Sequence, residues 1–571
     1  MCGARLGSMR LACLVALSVL ALLPGLGSSG RLTYHEAFVA QGAREILDSG
    51  EWGYPTIGGL PWLEKPPLPW WLAAALGHCA GGVNETVARL PSVLAATALV
   101  LGIAMLAARH YGPAIGLLAG AIQATTVWTV MRGRLAEADV LLACLITWTI
   151  VAFDRILTDV WAEAGEGFGD SESRWRLARW SFFAFLGTTA LVKGIGFGAV
   201  LILAVVGGVL LWQRDGTALR RLCFPAGWTL AVVLALAWPL WMVARHGRGA
   251  LELWTMHVVN RLGSQAGPGP FAGEPWWEYV PALLVQALPW TPLALAGAWR
   301  SLGRALLPAD GGSSGGRVGA LIPAAVVAGD RLLWVWASAP LGLLALATVK
   351  NAHYAISAQV PWSIWAALAL ARLGERLRLR AWDRNALLLA ARGGFAALAL
   401  AYGLAFWLLG PWLDRRGVEW AFYESAGRQF PPGMSLVLLY DDWDRNPYES
   451  PFGPIPHDLA VRLFYLGRPA CWHVRAASLV AREHTAGRCS RSTPRSMARL
   501  FPAGPAQSAF AVLGRSRDLP ALKQIGHVEV IVRGPAVRRD RTYDLFLVTP
   551  GSSTLDSPVP IANSGNPSLH R

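Results

Sequence analysis

The chain is short of charge for its length: 571 residues carry 15% Asp, Glu, Lys and Arg, whereas 54% are hydrophobic. Soluble domains usually carry about 25% charge, so an ordinary soluble protein is excluded. Apolar runs instead recur as far as residue 413, and several approach the roughly 20 residues that cross a bilayer as a helix. Examples are Leu90 to Ala108, Gly194 to Trp212, Ala226 to Ala244 and Phe395 to Leu413. The sequence therefore predicts a polytopic membrane protein of the all-α class.

Cysteine is also scarce, and the seven cysteines include no CxxC pair and no cysteine–histidine spacing typical of metal sites. This argues against a zinc centre. Cys13, Cys144 and Cys223 lie in or beside apolar runs and are interpreted as packing residues. Cys471 and Cys489 lie in the polar C-terminal part, where an extracytoplasmic location would allow them to form a disulfide.

Acidic residues are outnumbered, because 36 Asp and Glu face 51 Lys and Arg, for a formal net charge of +15. The arginines cluster between the apolar runs, which is typical of short cytoplasmic loops. The clusters are Arg214/Arg220/Arg221, Arg300/Arg304/Arg317/Arg331 and Arg372/Arg376/Arg378/Arg380/Arg384. We therefore attribute the basic balance to membrane topology and predict no nucleic-acid partner.

The topology follows from the first apolar run, which we interpret as an uncleaved span with Arg5 and Arg10 on its cytoplasmic side. Alternation then predicts about eleven transmembrane helices within residues 1–413 and a first external loop at residues 28–88. Two juxtamembrane helices are predicted in this loop. "HEAFVAQGAREIL" has apolar residues at helical spacing, and "PPLPWWLAAALGHCAGG" has Pro at its start and Gly at its end. Trp70 and Trp71 are expected at the membrane interface.

The C-terminal part has the composition of a soluble domain. The segments "MSLVLLYD", "SAFAVLG", "HVEVIV" and "YDLFLVT" predict strands, and "HDLAVRLFYLG" predicts a helix. An odd number of spans places this small α/β domain, residues 414–550, outside the cytoplasm. Residues 551–571 are predicted to be a disordered tail, and no catalytic motif is found in this part of the sequence.

The same topology collects many ionisable side chains at one membrane face. Charge near membrane depth is costly, so such residues usually face a cavity. Lys and Arg bind phosphate, and carboxylates activate a hydroxyl nucleophile or hold a divalent metal ion. A lipid-phosphate substrate is therefore indicated. The residues are His35, Glu36, Glu64 and Lys65 in the first loop, Arg134, Glu137 and Asp139 in the hinge "MRGRLAEAD", and Lys193, His257, Arg261, Lys350 and Tyr354 further on.

Several of these residues lie in segments that resemble the aminoarabinose transferase family. These proteins are lipid-linked sugar transferases of the GT-C fold, related to protein O-mannosyltransferases. The resemblance covers roughly residues 30 to 365. It is carried by "HEAFVAQGAREILDSGEWGYPTIGGLPWLEKPPLPWWLAAAL", "GGVNETVARLPSVLAA", "GRLAEADVLL", "LVKGIGFG", "HVVNRLGSQAGPGPFAGEPWWEYV" and "LATVKNAHYAI".

The resemblance implies an inverting glycosyltransferase at the outer face of the bacterial inner membrane. A pentose or hexose would pass from a polyprenyl-phosphate donor to lipid A, another glycolipid or a protein. A monomer is expected. No cofactor is implied with certainty, and a Mg²⁺ or Mn²⁺ ion with Glu36 and Asp139 as candidate ligands is left open.

The resemblance also implies roles for individual residues. It assigns the donor phosphate to Lys65, Lys193 and Lys350, and the charge and location of Arg134 add that residue to the predicted phosphate contacts. The remaining substrate contacts would come from Glu64, Glu137, His257, Arg261 and Tyr354. The catalytic candidates are Asp139, Glu36 and His35.

One departure from the family pattern concerns the base, because His35 stands where the family usually has Asp. Histidine can act as a base, or Glu36 takes over that role, or activity has been lost. A lipid-sugar flippase or transporter is the rival interpretation. Transporters favour internal repeats and midplane sites, whereas here the charges cluster at one surface and no repeat is found in the sequence.

Overall fold

The structure is a computed structural model. It describes residues 6–28, 30–158, 168–214, 216–262, 275–307, 323–347, 350–379, 383–413, 417–430, 434, 436–439, 455, 458–467, 471–473, 487–489, 509–524, 526–534 and 543–550. The chain divides into two compact units. The first comprises Met1–Thr56, Pro61–Arg415 and Ser450–Gly453, and the second comprises Ile57–Leu60, Arg416–Glu449 and Pro454–Arg571. The predicted tail lies outside the described residues.

Helices make up nearly all of the first unit. They are α1 Ser8–Leu22, α2 Tyr34–Ser49, α3 Leu68–Ala80, α4 Glu85–Tyr111, α5 Pro113–Ala124, α6 Val127–Arg132, α7 Ala138–Thr158, α8 Phe168–Lys193, α9 Leu201–Gln213, α10 Gly216–Leu222, α11 Pro225–His246, α12 Arg248–Leu262, α13 Tyr279–Gln286, α14 Thr291–Ala305, α15 Ala324–Ala345, α16 Ile356–Gln359, α17 Pro361–Leu379, α18 Arg384–Leu404 and α19 Gly410–Leu413. A short hairpin, β1 Thr56–Ile57 and β2 Leu60–Pro61, lies between α2 and α3 in the chain.

Both helices predicted in the first loop are confirmed as α2 and α3. Helix α2 begins with a capping box, in which the Thr33 side chain accepts from the Glu36 amide and the Glu36 side chain accepts from the Thr33 amide. It ends at Gly50, whose left-handed conformation (φ 73°) suits glycine. Helix α3 has Pro in its first turn and ends at Gly81 in the same conformation.

The expectation that Trp70 lies at the membrane interface is wrong. Its side chain is only 2% exposed, and its indole N–H donates to the Phe38 carbonyl of α2 at 2.8 Å. Gly42 makes this contact possible, because a Cβ atom at that position would lie 2.6 Å from the Trp70 ring. Trp70 therefore joins α3 to α2, whereas Trp71 is half-buried and donates to the Trp52 carbonyl.

Within the described residues, five helices are long and apolar enough to cross a membrane, or up to seven if each of two bent helix pairs is one span. The five are Glu85–Tyr111, Ala138–Leu157, Gly196–Gln213, Pro225–His246 and Asn385–Trp412. The predicted count of eleven stays a prediction.

Two spans that we expected to be continuous are broken. The span near residues 278–299 consists of α13 and α14, which meet at 113°, and the span near residues 354–372 consists of Ala352–Gln359 and α17, which meet at 53°. Prolines at both breaks supply the physical reason, because proline has no N–H to continue a helix. Pro289 lies between α13 and α14, and Pro361 opens α17.

A buried carboxylate ties α4, α14 and α15 together. Asp330 on α15 is fully buried and accepts hydrogen bonds from Tyr111 Oη at 2.9 Å and Ser301 Oγ at 2.7 Å. Arg304 donates to it through Nε at 2.5 Å and Nη2 at 2.9 Å. The charge of Asp330 is therefore both paired and hydrogen-bonded, as a buried ion requires.

The second unit contains a six-stranded sheet in the order β5-β4-β3-β6-β8-β7. Strands β4, β3 and β6 run parallel, and the other pairs are antiparallel. The predicted strands and helix correspond to β3, β6, β7, β8 and α21. The elements are α20 Gly417–Arg428, β3 Leu436–Leu439, α21 Leu459–Leu466, β4 Cys471–His473, β5 Gly487–Cys489, β6 Phe510–Arg515, α22 Leu519–Lys523, β7 Gly526–Arg533 and β8 Tyr543–Pro550.

Removal of the Asp330 carboxylate should destabilise the first unit strongly. The variant Asp330→Ala leaves the Arg304 guanidinium largely buried without its counter-ion, and breaking a buried pair in this way costs about 3–5 kcal/mol. Thermal unfolding of the purified protein in detergent measures the effect. The control Glu51→Ala removes the partner of the more exposed Arg245 and should cost about 1 kcal/mol or less. Equal shifts of Tm for the two variants would contradict the proposed stabilising role of the buried Asp330–Arg304 pair.

Candidate active site

Glu36 occupies the centre of a buried hydrogen-bond network. Its side chain is fully buried, and Arg89 on α4 donates to its two oxygens at 2.7 Å and 3.4 Å. The amides of Thr33 and Ala136 also donate to it, at 2.9 Å and 3.2 Å. Arg89 further donates to the carbonyls of Leu26 and Gly30. The network therefore joins α2, α4, the segment after α1 and the hinge before α7.

Arg134 also faces backbone carbonyls. Its guanidinium is 2% exposed, donates to the carbonyls of Leu22 and Pro24 at 2.5 Å and 2.7 Å, and stacks over the Phe406 ring at 4.5 Å. Burial, together with the neighbouring Arg89 charge, lowers the pKa of Arg134 to about 10. These contacts favour a role in holding the end of α1, and phosphate binding by Arg134 stays a prediction.

An ion pair between Asp139 and Lys193 lies where α7 begins and α8 ends. Asp139 is 5% exposed on the first turn of α7, and the Lys193 ammonium contacts its Oδ1 atom. The same ammonium lies 5.3 Å from the centre of the Tyr354 ring and 5.9 Å from the Phe197 ring. An aromatic face attracts a cation at these distances. The pair is thus bordered by rings from two further segments.

The Tyr354 ring links this ion pair to the segment that follows α15. Tyr354 lies in the 3₁₀ helix Ala352–Ala355, and its ring packs at 4.7 Å from Phe197 and at 4.5 Å from the imidazole of His353. Lys350, just before this helix, is 6% exposed and donates to the Ala347 carbonyl at 2.7 Å. The structure therefore brings Asp139, Lys193 and Tyr354 together, and their roles in substrate binding stay a prediction.

Glu137 lies in the hinge between α6 and α7 and pairs with Arg132 at 2.6 Å. Burial raises the pKa of Glu137. The Arg132 charge opposes this shift, and the nearby carboxylates of Asp139 and Glu36 add to it. The three acids therefore lie close enough to interact electrostatically, and each has a cation beside it.

Lys65 and Glu64 are half-buried in the segment that leads into α3. Neither side chain makes a hydrogen bond or ion pair within the described part of the chain. His353 nevertheless interacts electrostatically with four ionisable groups, Asp139, Lys193, Arg132 and Lys65. The Lys65 ammonium is therefore close enough to His353 to act on its charge, and it has no carboxylate partner among the described residues.

The structure says less about the remaining candidate site residues and about a metal ion. His35 is exposed on the first turn of α2. His257 and Arg261 fall in α12, and their side chains lie outside the described residues. No group of three or more His, Cys, Asp or Glu side chains suited to a metal ion is found in the described ranges. The two candidate metal ligands do not fit a divalent ion as they stand, because Glu36 pairs with Arg89 and Asp139 pairs with Lys193.

Sequence reasoning missed Arg89, which is as buried as the acid it binds, at 4% exposed. The available signal was an arginine one turn inside an otherwise apolar span, since such a charge needs a partner. It also overlooked the distribution of lysine. The chain has only four lysines, and the site segments contain three of them, Lys65, Lys193 and Lys350.

Comparisons with known proteins show which families and folds this chain resembles. The family model described as dolichyl-phosphate-mannose-protein mannosyltransferase matches residues 64–242. The undecaprenyl phosphate-alpha-4-amino-4-deoxy-L-arabinose arabinosyl transferase of Pseudomonas aeruginosa is 29% identical over 403 residues, which are 68% of this chain and 64% of that protein. The corresponding enzyme of Erwinia tasmaniensis is 27% identical over 389 residues, 65% of this chain and 61% of that protein. The matches thus span less than two thirds of these relatives.

Solved structures extend the likeness over nearly the whole chain. ArnT from Cupriavidus metallidurans bound to undecaprenyl phosphate superposes with a TM-score of 0.66 at 17% identity, covering 96% of this chain and 99% of that one. Its apo structure gives 0.64, covering 96% and 98%. The fold is therefore that of a GT-C membrane protein. The resemblance predicted from the sequence is confirmed: the chain is similar to the aminoarabinose transferases, and part of it matches the family model of the protein mannosyltransferases.

The hydrogen-bond network around Glu36 predicts that this residue contributes to the stability of the fold, whatever its effect on activity. The variant Glu36→Gln keeps the shape of the side chain but removes the charge that pairs with Arg89. We expect a loss of about 3 kcal/mol or more of stability, measured by thermal unfolding. Arg89→Gln should cost a similar amount, and the double variant should cost clearly less than the sum. A catalytic base with no structural role would instead give inactive protein with an unchanged Tm.

Proposed function

We propose that this chain is a membrane glycosyltransferase that moves a sugar from a polyprenyl-phosphate donor to an envelope acceptor. One observation carries the proposal. The half-buried Lys65 ammonium has no carboxylate partner among the described residues, and it acts electrostatically on His353, as do Asp139 and Lys193. A partly desolvated cation in this setting suits a phosphate group. The similar proteins are named as transferases that use an undecaprenyl-phosphate-linked sugar.

The chemistry follows from these positions. An oxygen of the acceptor attacks the anomeric carbon from the face opposite the donor phosphate, so the configuration inverts. Asp139 accepts the proton of that oxygen as a general base. The bond between the anomeric carbon and the phosphate oxygen breaks, and polyprenyl phosphate leaves. Lys65 and Lys193, with Lys350, stabilise the negative charge that develops on it, which is usually a large contribution to catalysis.

Asp139 is preferred as the base over the other two candidates. Glu36 already accepts four hydrogen bonds, and His35 is exposed on α2. The proposal includes no metal ion, because both candidate ligands already pair with cations. Glu137 and Tyr354 border the same cluster and are proposed to contact substrate. Glu64, next to Lys65 in sequence, and His257 and Arg261 on α12 are proposed to do the same.

The membrane arrangement is part of the proposal. Residues 1–413 would form the catalytic transmembrane domain with about eleven spans, and residues 414–550 an α/β domain outside the cytoplasm. The site would open at the outer face of a bacterial inner membrane, and the protein would act as a monomer. The apolar helices support a multi-pass membrane protein. Lipid A, another glycolipid and a protein are the proposed classes of acceptor.

The variant Lys65→Ala should nearly abolish sugar transfer from a polyprenyl-phosphate donor. Loss of a preorganised charge at a developing anion typically costs about 10²–10³ in rate. Product formation by the purified protein is measured by mass spectrometry. Lys523→Ala is the matched control, because Lys523 is the exposed fourth lysine and lies in the second unit.

Two outcomes would contradict the proposal. Wild-type activity in Lys65→Ala would remove the phosphate contact on which it rests. Transport of the intact lipid-sugar across proteoliposomes, without any covalent product, would instead favour the flippase interpretation.

The location of the second unit predicts the state of two cysteines. The backbone register pairs residue 471 of β4 with residue 489 of β5, although their side chains lie outside the described residues. In an oxidising compartment we expect the two thiols to form a disulfide by exchange with a protein disulfide. Alkylation of denatured protein before and after reduction, followed by mass spectrometry, tests this. Cys144 serves as the internal control, since it is a free buried cysteine. Full alkylation of both residues without reduction would argue against an extracytoplasmic location.

A further inference from the structure

Two broken helices meet beside the charged cluster. Helix α13 packs against the 3₁₀ helix Ala352–Ala355 and against α16, and Gln286 Nε2 donates to the Ala352 carbonyl at 2.9 Å. Helix α16 also packs against α7, whose first turn carries Asp139. In membrane proteins, interrupted helices are tolerated where they are buried in protein or line a cavity, and they often form binding sites.

Neutral polar side chains at this junction lack partners. Gln359 is fully buried, yet neither its amide oxygen nor its amide nitrogen has a hydrogen-bond partner within the described residues. The same holds for the hydroxyl of Ser357, which is 2% exposed, and for Oε1 of Gln286. More than about 90% of buried polar groups in proteins are hydrogen-bonded. These exceptions lie on one short segment and on the helix that packs against it, which indicates that a ligand supplies the missing bonds.

The chemistry of these groups limits what that partner is. An amide offers both donors and an acceptor, and a hydroxyl offers one donor and two acceptors. Such groups match the hydroxyls of a sugar ring. An ionised phosphate offers no donor to the orphaned amide oxygens of Gln359 and Gln286, and the polyprenyl tail has no polar atoms. Ser357 follows Tyr354 by three residues and so lies one helical turn further along the same side.

We propose that Gln359, with Ser357 and Gln286, binds the hydroxyls of the transferred sugar, next to the cations that bind its phosphate. This inference rests on the glycosyltransferase function proposed above. It divides the site into a charged part for the leaving group and a neutral part for the ring.

The test is the variant Gln359→Leu, which replaces the amide by an apolar group of similar volume. The KM for the sugar-bearing donor should rise about tenfold, as expected for the loss of hydrogen bonds to a substrate hydroxyl. Binding of bare undecaprenyl phosphate should be unchanged, because this probe has no sugar. The Tm of the ligand-free protein should stay the same or rise, since an unpaired buried amide is removed.

Gln123→Leu is the matched control. Gln123 is equally buried, but its amide donates to Thr129 Oγ1 at 2.8 Å and accepts from Ser363 Oγ at 2.7 Å. This variant should lower the Tm and leave the donor KM unchanged. Gln286→Leu provides a second variant should Gln359→Leu fold poorly, and it should raise the donor KM in the same way.

Three outcomes would overturn the inference. A lower Tm with an unchanged donor KM would make Gln359 a structural residue. A higher KM for the acceptor alone would assign the neutral groups to the acceptor. Weaker binding of bare undecaprenyl phosphate would place Gln359 at the phosphate. If wild-type protein forms no product at all, the proposed function fails, and direct binding of sugar-bearing and bare carriers still tests the site.

Discussion

The buried ion pair between Glu36 and Arg89 fixes the parts of the site relative to one another. Both side chains are almost fully removed from water, which costs several kcal/mol per ion unless geometry and hydrogen bonds compensate. Here the carboxylate receives two backbone amides, and the guanidinium reaches two backbone carbonyls, so the compensation is nearly complete. Because one of those amides belongs to Ala136, the pair also sets the hinge three residues before Asp139.

Local patterns predicted the elements around this pair well. The apolar spacing and the Thr33–Glu36 capping box determine α2, and the proline and glycine that flank "LPWWLAAALGHCA" determine α3. These signals depend on neighbours in sequence, so one chain suffices to detect them. The setting of Lys65, Lys193 and Asp139 was informative as well, because charge in an apolar setting is costly.

Long-range pairing could not be predicted in the same way. Arg89 meets Glu36 across 53 residues, and Arg134 meets Leu22 across 112. Nothing local in "ETVARL" or "MRGRLAEAD" distinguishes an arginine that closes a structural network from one that binds phosphate. The breaks at Pro289 and Pro361 were misjudged because hydropathy continues across them, although the helical hydrogen bonds do not.

Arginine and lysine side chains serve different purposes in this structure, and their chemistry gives a physical reason for the composition of the site. A guanidinium presents a rigid fork of donors that suits fixed carboxylates and carbonyls, and Arg89, Arg134 and Arg304 serve that purpose here. An ammonium is a compact charge on a flexible stem with three rotatable donors, so it can follow a phosphate whose position and charge change during reaction. A chain with 47 arginines, counted as 51 basic residues less four lysines, nevertheless places three of the four lysines at the site. Under the proposed mechanism, substitution of arginine for these lysines would keep the charge but lose the mobility that a departing phosphate requires.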